Sequence, residues 1–96
     1  MKSIGYLIVS NYVAKEGRKI KWLYRESPTE EMDSGWRILS GAETNDYADN
    51  PDNFAIYSID SVLAFDKNVK DILLNGAIGS EYELGESGTF VKIKEN

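Results

Sequence analysis

Asp33-Ser34-Gly35-Trp36-Arg37-Ile38-Leu39-Ser40-Gly41 is the stretch on which the fold turns. In an extended chain Trp36 and Ile38 share one face and Arg37 takes the other. The run from Trp36 to Ser40 therefore reads as a strand, with Gly41 ending it and the Asp33-Ser34-Gly35 turn feeding it. Trp36 and Trp22 could stack on a ligand, but a strand tryptophan that shares its face with an isoleucine is more often core, and both are placed there, Trp36 beside Ile38 and Trp22 beside Ile20. Arg37 has two readings. It forms a structural salt bridge to a nearby acid such as Asp33, or it anchors a protein interface, where arginine and aromatics are enriched.

Upstream, Gly5 to Ser10 reads as a buried strand with Leu7 and Val9 on one face and Tyr6 and Ile8 on the other. Glu16-Gly17-Arg18 has turn chemistry. From Lys19 to Arg25 the chain alternates, placing Ile20, Trp22 and Tyr24 inward, with Leu23 an exception on an otherwise polar outer face. Glu26 to Ser34, with Pro28 and several carboxylates, reads as an exposed connection.

Downstream, Glu43 to Asn53 is a turn-rich acidic stretch with one helical turn around Tyr47, and Phe54 to Tyr57 is a fourth strand. Val62, Phe65, Val69, Ile72 and Leu73 then follow helical spacing. Asp60 or Ser61 is the expected N-cap, Asn75-Gly76 the stop, and Asp66 offers a cap that would split the region into two helices. Glu81 to Leu84 and Thr89 to Lys94 are strands joined by the Gly85-Glu86-Ser87-Gly88 turn. The sum is a single α+β domain: an antiparallel sheet of about five or six strands with one or two short helices packed on one face.

Composition excludes several chemistries. The 96 residues contain no cysteine and no histidine. Disulfides, thiolate sites, Ser-His-Asp triads and His-ligated zinc cannot be built from this chain alone. The longest apolar run, Leu7-Ile8-Val9, is far too short to cross a bilayer. Met1-Lys2-Ser3-Ile4-Gly5 lacks the apolar core of a signal peptide, so the expected location is the cytoplasm. The net charge of −5 repels a phosphate backbone. The basic residues Lys15, Arg18, Lys19, Lys21 and Arg25 are interleaved with acids and read as a solvated face. Nucleic acid and membrane are thus not expected partners; a basic protein suits the sign of the charge.

Asp46, Asp49 and Asp52 could ligate a hard cation, but the alternating ligands, central glycine and terminal glutamate of an EF-hand loop are absent. Asp and Asn also serve turns by hydrogen-bonding their own backbone. No cofactor or metal is therefore assigned. Paired-carboxylate hydrolysis requires two acids in one cleft, and none of the sixteen here is singled out by an apolar setting. Gly76-Ala77-Ile78-Gly79-Ser80 lacks the lysine of a phosphate loop and reads as a helix-to-strand turn.

Several blocks together resemble one family. They are Val9-Ser10-Asn11, Tyr24-Arg25-Glu26, Asp33-Ser34-Gly35-Trp36-Arg37 through Ser40-Gly41, Asn50-Pro51-Asp52-Asn53, Ile56-Tyr57, Phe65-Asp66 and Gly79-Ser80-Glu81-Tyr82-Glu83. In order and spacing they are similar to the small bacterial immunity protein 33 family, over nearly the whole chain. Lys67 stands where that pattern has proline, which bears on the helix start. The resemblance implies a non-enzymatic protein that binds and neutralises a polymorphic toxin, and it brings no catalytic residues. The expected partner surface is Asp33, Trp36 and Arg37 with the acids Glu43, Asp46, Asp49 and Asp52: the acids steer a basic toxin and Arg37 anchors it. The alternative is a small ligand-binding or regulatory domain with a pocket beside the sheet; a hydrolase ranks last.

Overall fold

The computed structural model describes residues 5–94, so the leader reading made on Met1 to Gly5 lies, apart from Gly5, outside the described residues. In chain order the elements are β1 (Tyr6–Ser10), α1 (Asn11–Ala14), β2 (Trp22–Arg25), β3 (Asp33–Leu39), α2 (Asn45–Ala48), β4 (Phe54–Tyr57), α3 (Ile59–Phe65), α4 (Lys70–Asn75), β5 (Glu81–Leu84) and β6 (Phe90–Lys94). The strands form one sheet in the order β4-β1-β3-β2-β5-β6. The fold is α+β, as read from the sequence.

The sheet is mixed, which corrects the antiparallel expectation. β1 runs parallel to β3, while the other pairings are antiparallel. After β1 the chain passes through α1 and lays down β2 two places away; β3 then returns antiparallel to β2 and fills the gap, which makes it parallel to β1. Alternation of side chains carries no information about such insertion. β3 itself is buried along its whole length, as a strand in the middle of a sheet should be.

Strand register sorts the side chains onto two faces. Leu23 lies opposite Ile38, and Val9 beside it, whereas Trp22 lies opposite Leu39 and Tyr24 opposite Arg37. Leu7, Val9, Leu23, Trp36 and Ile38 form the core with Ile59 and Val62 of α3 and with Val69 and Leu73. Leu23, expected on the outer face, is thus fully buried, and Trp22 and Tyr24, expected inward, sit half-buried on the face that the helices leave open. The alternation separates Leu23 from Trp22 and Tyr24 but fails for Ile20, which it groups with the aromatics and which precedes the strand and is buried in the core with Leu23. It does not say which set the helices will cover.

Trp36 is the largest fully buried side chain. Its indole nitrogen donates to the Leu73 carbonyl at 3.2 Å, so the ring's polar atom is satisfied in the core. Gly76 leaves room for it, because a Cβ there would lie 2.6 Å from the ring. Arg25, expected to be solvated, is instead drawn inward: its guanidinium donates to the Ser34 and Gly76 carbonyls and lies over the Trp36 ring.

The helical region is split at Asp66, one of the two arrangements its sequence allowed. The Asp66 carboxylate accepts from the Asn68 amide at 2.9 Å and opens a 3-10 turn that leads into α4. α3 is capped by the Ser58 hydroxyl, upstream of the expected Asp60 or Ser61. The turn around Tyr47 is α2, capped by Thr44, and the β5–β6 hairpin forms across the Gly85 to Gly88 turn.

Candidate functional site

The Asp33 to Arg37 segment of β3 departs from regular register against β1. Tyr6 of β1 pairs with Asp33 and Ile8 with Arg37, so two steps along β1 match four along β3. This is a bulge, and Gly35 makes it possible with φ +90°, in a spot where a Cβ would collide with the Glu26 carbonyl. In a regular strand residues four apart lie roughly 13 Å apart. The bulge shortens that span and lets the Asp33 carboxylate reach the guanidinium on its own strand.

The result is a buried ion cluster. Arg37 donates from Nη1 to Asp33 Oδ1 at 2.9 Å, from Nη2 to Oδ2 at 2.8 Å and from Nε to Glu26 Oε2 at 2.6 Å. The Asp33 carboxylate also accepts from the Thr29 amide and hydroxyl and from the Gly35 amide. Its side chain is fully enclosed and that of Arg37 is 7% exposed, while Glu26 is half exposed. The bidentate bonds from Arg37 outweigh the effect of burial and hold the Asp33 carboxyl well below the usual aspartate range. Arg37 is raised above its ordinary value, chiefly by the same bonds. Both stay charged at any physiological pH.

The structure puts Trp36 and Arg37 on opposite sides of the sheet, as the alternation indicated, so the two cannot share the partner surface in which they were grouped. Trp36 is enclosed in the core. Arg37 lies at the floor of a shallow groove of about 220 Å³ on the open face, beside Ile8, Trp22, Tyr24, Leu39 and Phe54. Trp22 and Tyr24 stand next to each other with ring centroids 5.2 Å apart, and the Trp22 indole donates to Glu81 Oε2 at 2.7 Å. Burial first, and the Glu26 charge second, push the Tyr24 hydroxyl upward, so it remains a neutral donor. Tyr24 was missed as a surface residue, and Trp22 was weighed as a stacking residue but assigned to the core. Two adjacent aromatics on a face that also carries Arg37 were the available signal.

The acids of the loop divide by role. Glu43 accepts from the Ser40 amide and hydroxyl and from the Gly41 amide, each at 2.9 Å, and so secures the end of β3. Burial raises its carboxyl, but hydrogen bonds from Ser10 and Ser40 prevail and the net shift is downward. Asp46, Asp49 and Asp52 are exposed. The loop that carries them is tied down by Tyr47, stacked on Tyr12 at 4.2 Å and edge-on to Phe54, and by the Asn11 side-chain amide donating to the Asp52 carbonyl. Among the described residues no three acids lie close enough together to hold a metal ion.

The acidic stretch read from Glu43 to Asn53 is part of a longer one. Between Arg37 and Lys67 stand six carboxylates, Glu43, Asp46, Asp49, Asp52, Asp60 and Asp66, and no lysine or arginine. That segment alone carries −6, leaving the remainder of the chain at +1 against the total of −5. The acidity is regional and surrounds α2 and β4.

This architecture defines an α+β sheet domain with one face under helices and the other carrying aromatic, ion-paired and acidic side chains. The family model described as the Immunity protein Imm33 domain matches residues 7–94, and the chain belongs to that family, as the sequence blocks indicated. No curated protein and no solved structure matches it. Among the described residues no helix is long and apolar enough to cross a membrane.

Proposed function

We propose that this protein is a non-enzymatic immunity protein, acting in the cytoplasm, that binds and neutralises a cognate polymorphic toxin through the open face of its sheet. The observation that carries the reading is the family match over residues 7–94. The surface supports it. Trp22 and Tyr24 are rigid aromatic anchors of the kind that dominate interface energetics, and the grooves beside them are open and shallow rather than enclosing.

The residues singled out in the sequence take distinct parts. Asp46, Asp49 and Asp52 steer a basic toxin toward the face and raise its rate of association. Arg37, fixed by Asp33 and Glu26, forms a rigid floor beneath the aromatics. Trp36 keeps β3 in place from the core side, and Glu43 holds the loop. The test is growth rescue by co-expression with a toxin encoded beside the gene, followed by titration of the purified pair. Saturation at one-to-one with no turnover supports the reading. Lack of rescue and of complex formation counts against it, and a thermal shift with a metabolite would then favour a small ligand-binding or regulatory domain.

A further inference from the structure

The sheet has two edges, and they are built differently. β6 carries Lys92 and Lys94, the charged side chains with which natural edges discourage pairing. β4, Phe54-Ala55-Ile56-Tyr57, carries no charge, no proline and no bulge. Among the described residues no strand lies on its outer side. Ile56 is 63% exposed, more than any other large apolar side chain of a strand. An apolar groove lined by Ile8, Pro51, Phe54, Ala55 and Ile56 runs along this edge on the open face.

The surrounding charge selects the occupant. β4 lies in the segment that has six acids and no base. Asp49 and Asp52 precede the strand and Asp60 follows it, all three exposed. A second copy paired antiparallel across β4 would set Asp52 of one chain near Asp60 of the other, acid against acid, at both ends. A foreign strand with an apolar middle and basic ends meets no such repulsion.

We infer that the outer edge of β4 accepts a strand from the toxin, an extended segment of alternating apolar residues with lysine or arginine at its ends. Its backbone completes the ladder and its open-face side chains fall in the groove beside Ile56. The inference rests on the immunity reading for the identity of the occupant, and on the edge alone for the mode of binding.

The probe is a short synthetic peptide of alternating valine and threonine with a lysine pair at each end, added to the isotope-labelled full chain and followed by amide chemical shifts. The expected result is shifts centred on residues 54–57. An otherwise identical peptide with glutamate pairs should bind at least roughly tenfold more weakly. A lysine peptide with proline at alternate positions, equal in charge but unable to donate ladder hydrogen bonds, should not move these amides. Absence of shifts in β4, or equal shifts with the proline peptide, overturns the inference. Ile56→Lys, at an exposed position, gives the biological arm. If the wild-type chain protects against its toxin and Ile56→Lys protects equally, the edge is not the site although the immunity reading stands. If the wild-type chain fails to protect while the lysine peptide still binds β4, the toxin is not the occupant and the immunity reading falls instead.

Discussion

Trp36 and Arg37 are neighbours in sequence and opposites in structure. The Trp36 side of β3 is covered by α3 and α4 and contains apolar side chains fitted around one indole. The Arg37 side is roofed only in part and holds an ion cluster beneath two half-exposed aromatics. A single buried strand thus serves as a core element on one face and as the floor of a surface on the other. The lesson is that burial in this chain has two meanings: Trp36 is buried by apolar packing and Arg37 by its own counter-ions. Substitutions on the two sides should therefore fail in different ways.

The largest effect belongs to the packed side. Trp36→Ala leaves a cavity against Leu73 and Gly76 and should cost about 3–5 kcal/mol of stability, measured by denaturant unfolding. For a domain of this size that is a large part of the total. A loss below 1 kcal/mol would mean that the indole is not the keystone of the core.

Asp33→Asn should follow closely, at about 3 kcal/mol, because it leaves Arg37 buried with only the half-exposed Glu26. Replacing Asp33 and Arg37 together by leucine and methionine should recover part of that loss, since apolar residues need no counter-ion, while the Thr29 and Gly35 amides lose their acceptor. No compensation of this kind is available on the Trp36 side. The pH dependence has a definite sign. The folded-state pKa of Asp33 lies below its unfolded value, so its stabilisation is fully present above about pH 4 and is lost progressively as the pH falls below that. Wild type and Asp33→Asn should therefore converge in stability on acidification; a constant gap between them down to acid pH would contradict the assignment.

The bulge explains how much of this was legible. The six strands, the hairpin and the opposed faces of Trp36 and Arg37 follow from periodicity and turn residues, which are local properties. The parallel pairing of β1 with β3 does not, because it depends on the order in which strands enter the sheet. The split at Asp66 is one of two arrangements that the sequence allows, and Asp33 and Ser34, which read as turn and exposed connection, are buried in β3. The Asp33–Arg37 contact was foreseen as a charge pairing, but its geometry depends on Gly35 adopting φ +90°, and a glycine in a sequence does not announce its dihedral angle. The open-face aromatics were assigned inward for a related reason: alternation sorts residues into two sets, and only tertiary packing decides which set is covered.

Smaller effects sharpen the contrast at the edge of the site. Glu43→Gln should cost about 1.5 kcal/mol by weakening the bonds from Ser40 and Gly41, read as a lower melting temperature. Asn in place of Asp46, Asp49 and Asp52 together should leave stability within about 0.5 kcal/mol. In that variant toxin association should slow and lose most of its dependence on salt, with little change in dissociation. An unchanged association rate would remove these acids from the interface.

The central claim is that the face opposite the core is the toxin-binding surface, and Trp22→Ala tests it most directly. Isothermal titration of the cognate toxin into the wild-type chain and into this variant, with melting temperatures measured alongside, separates binding from folding. The account predicts a one-to-one complex weakened by about thirtyfold, near 2 kcal/mol, with the fold intact. Equal affinity for the two chains would place the interface elsewhere and contradict the claim.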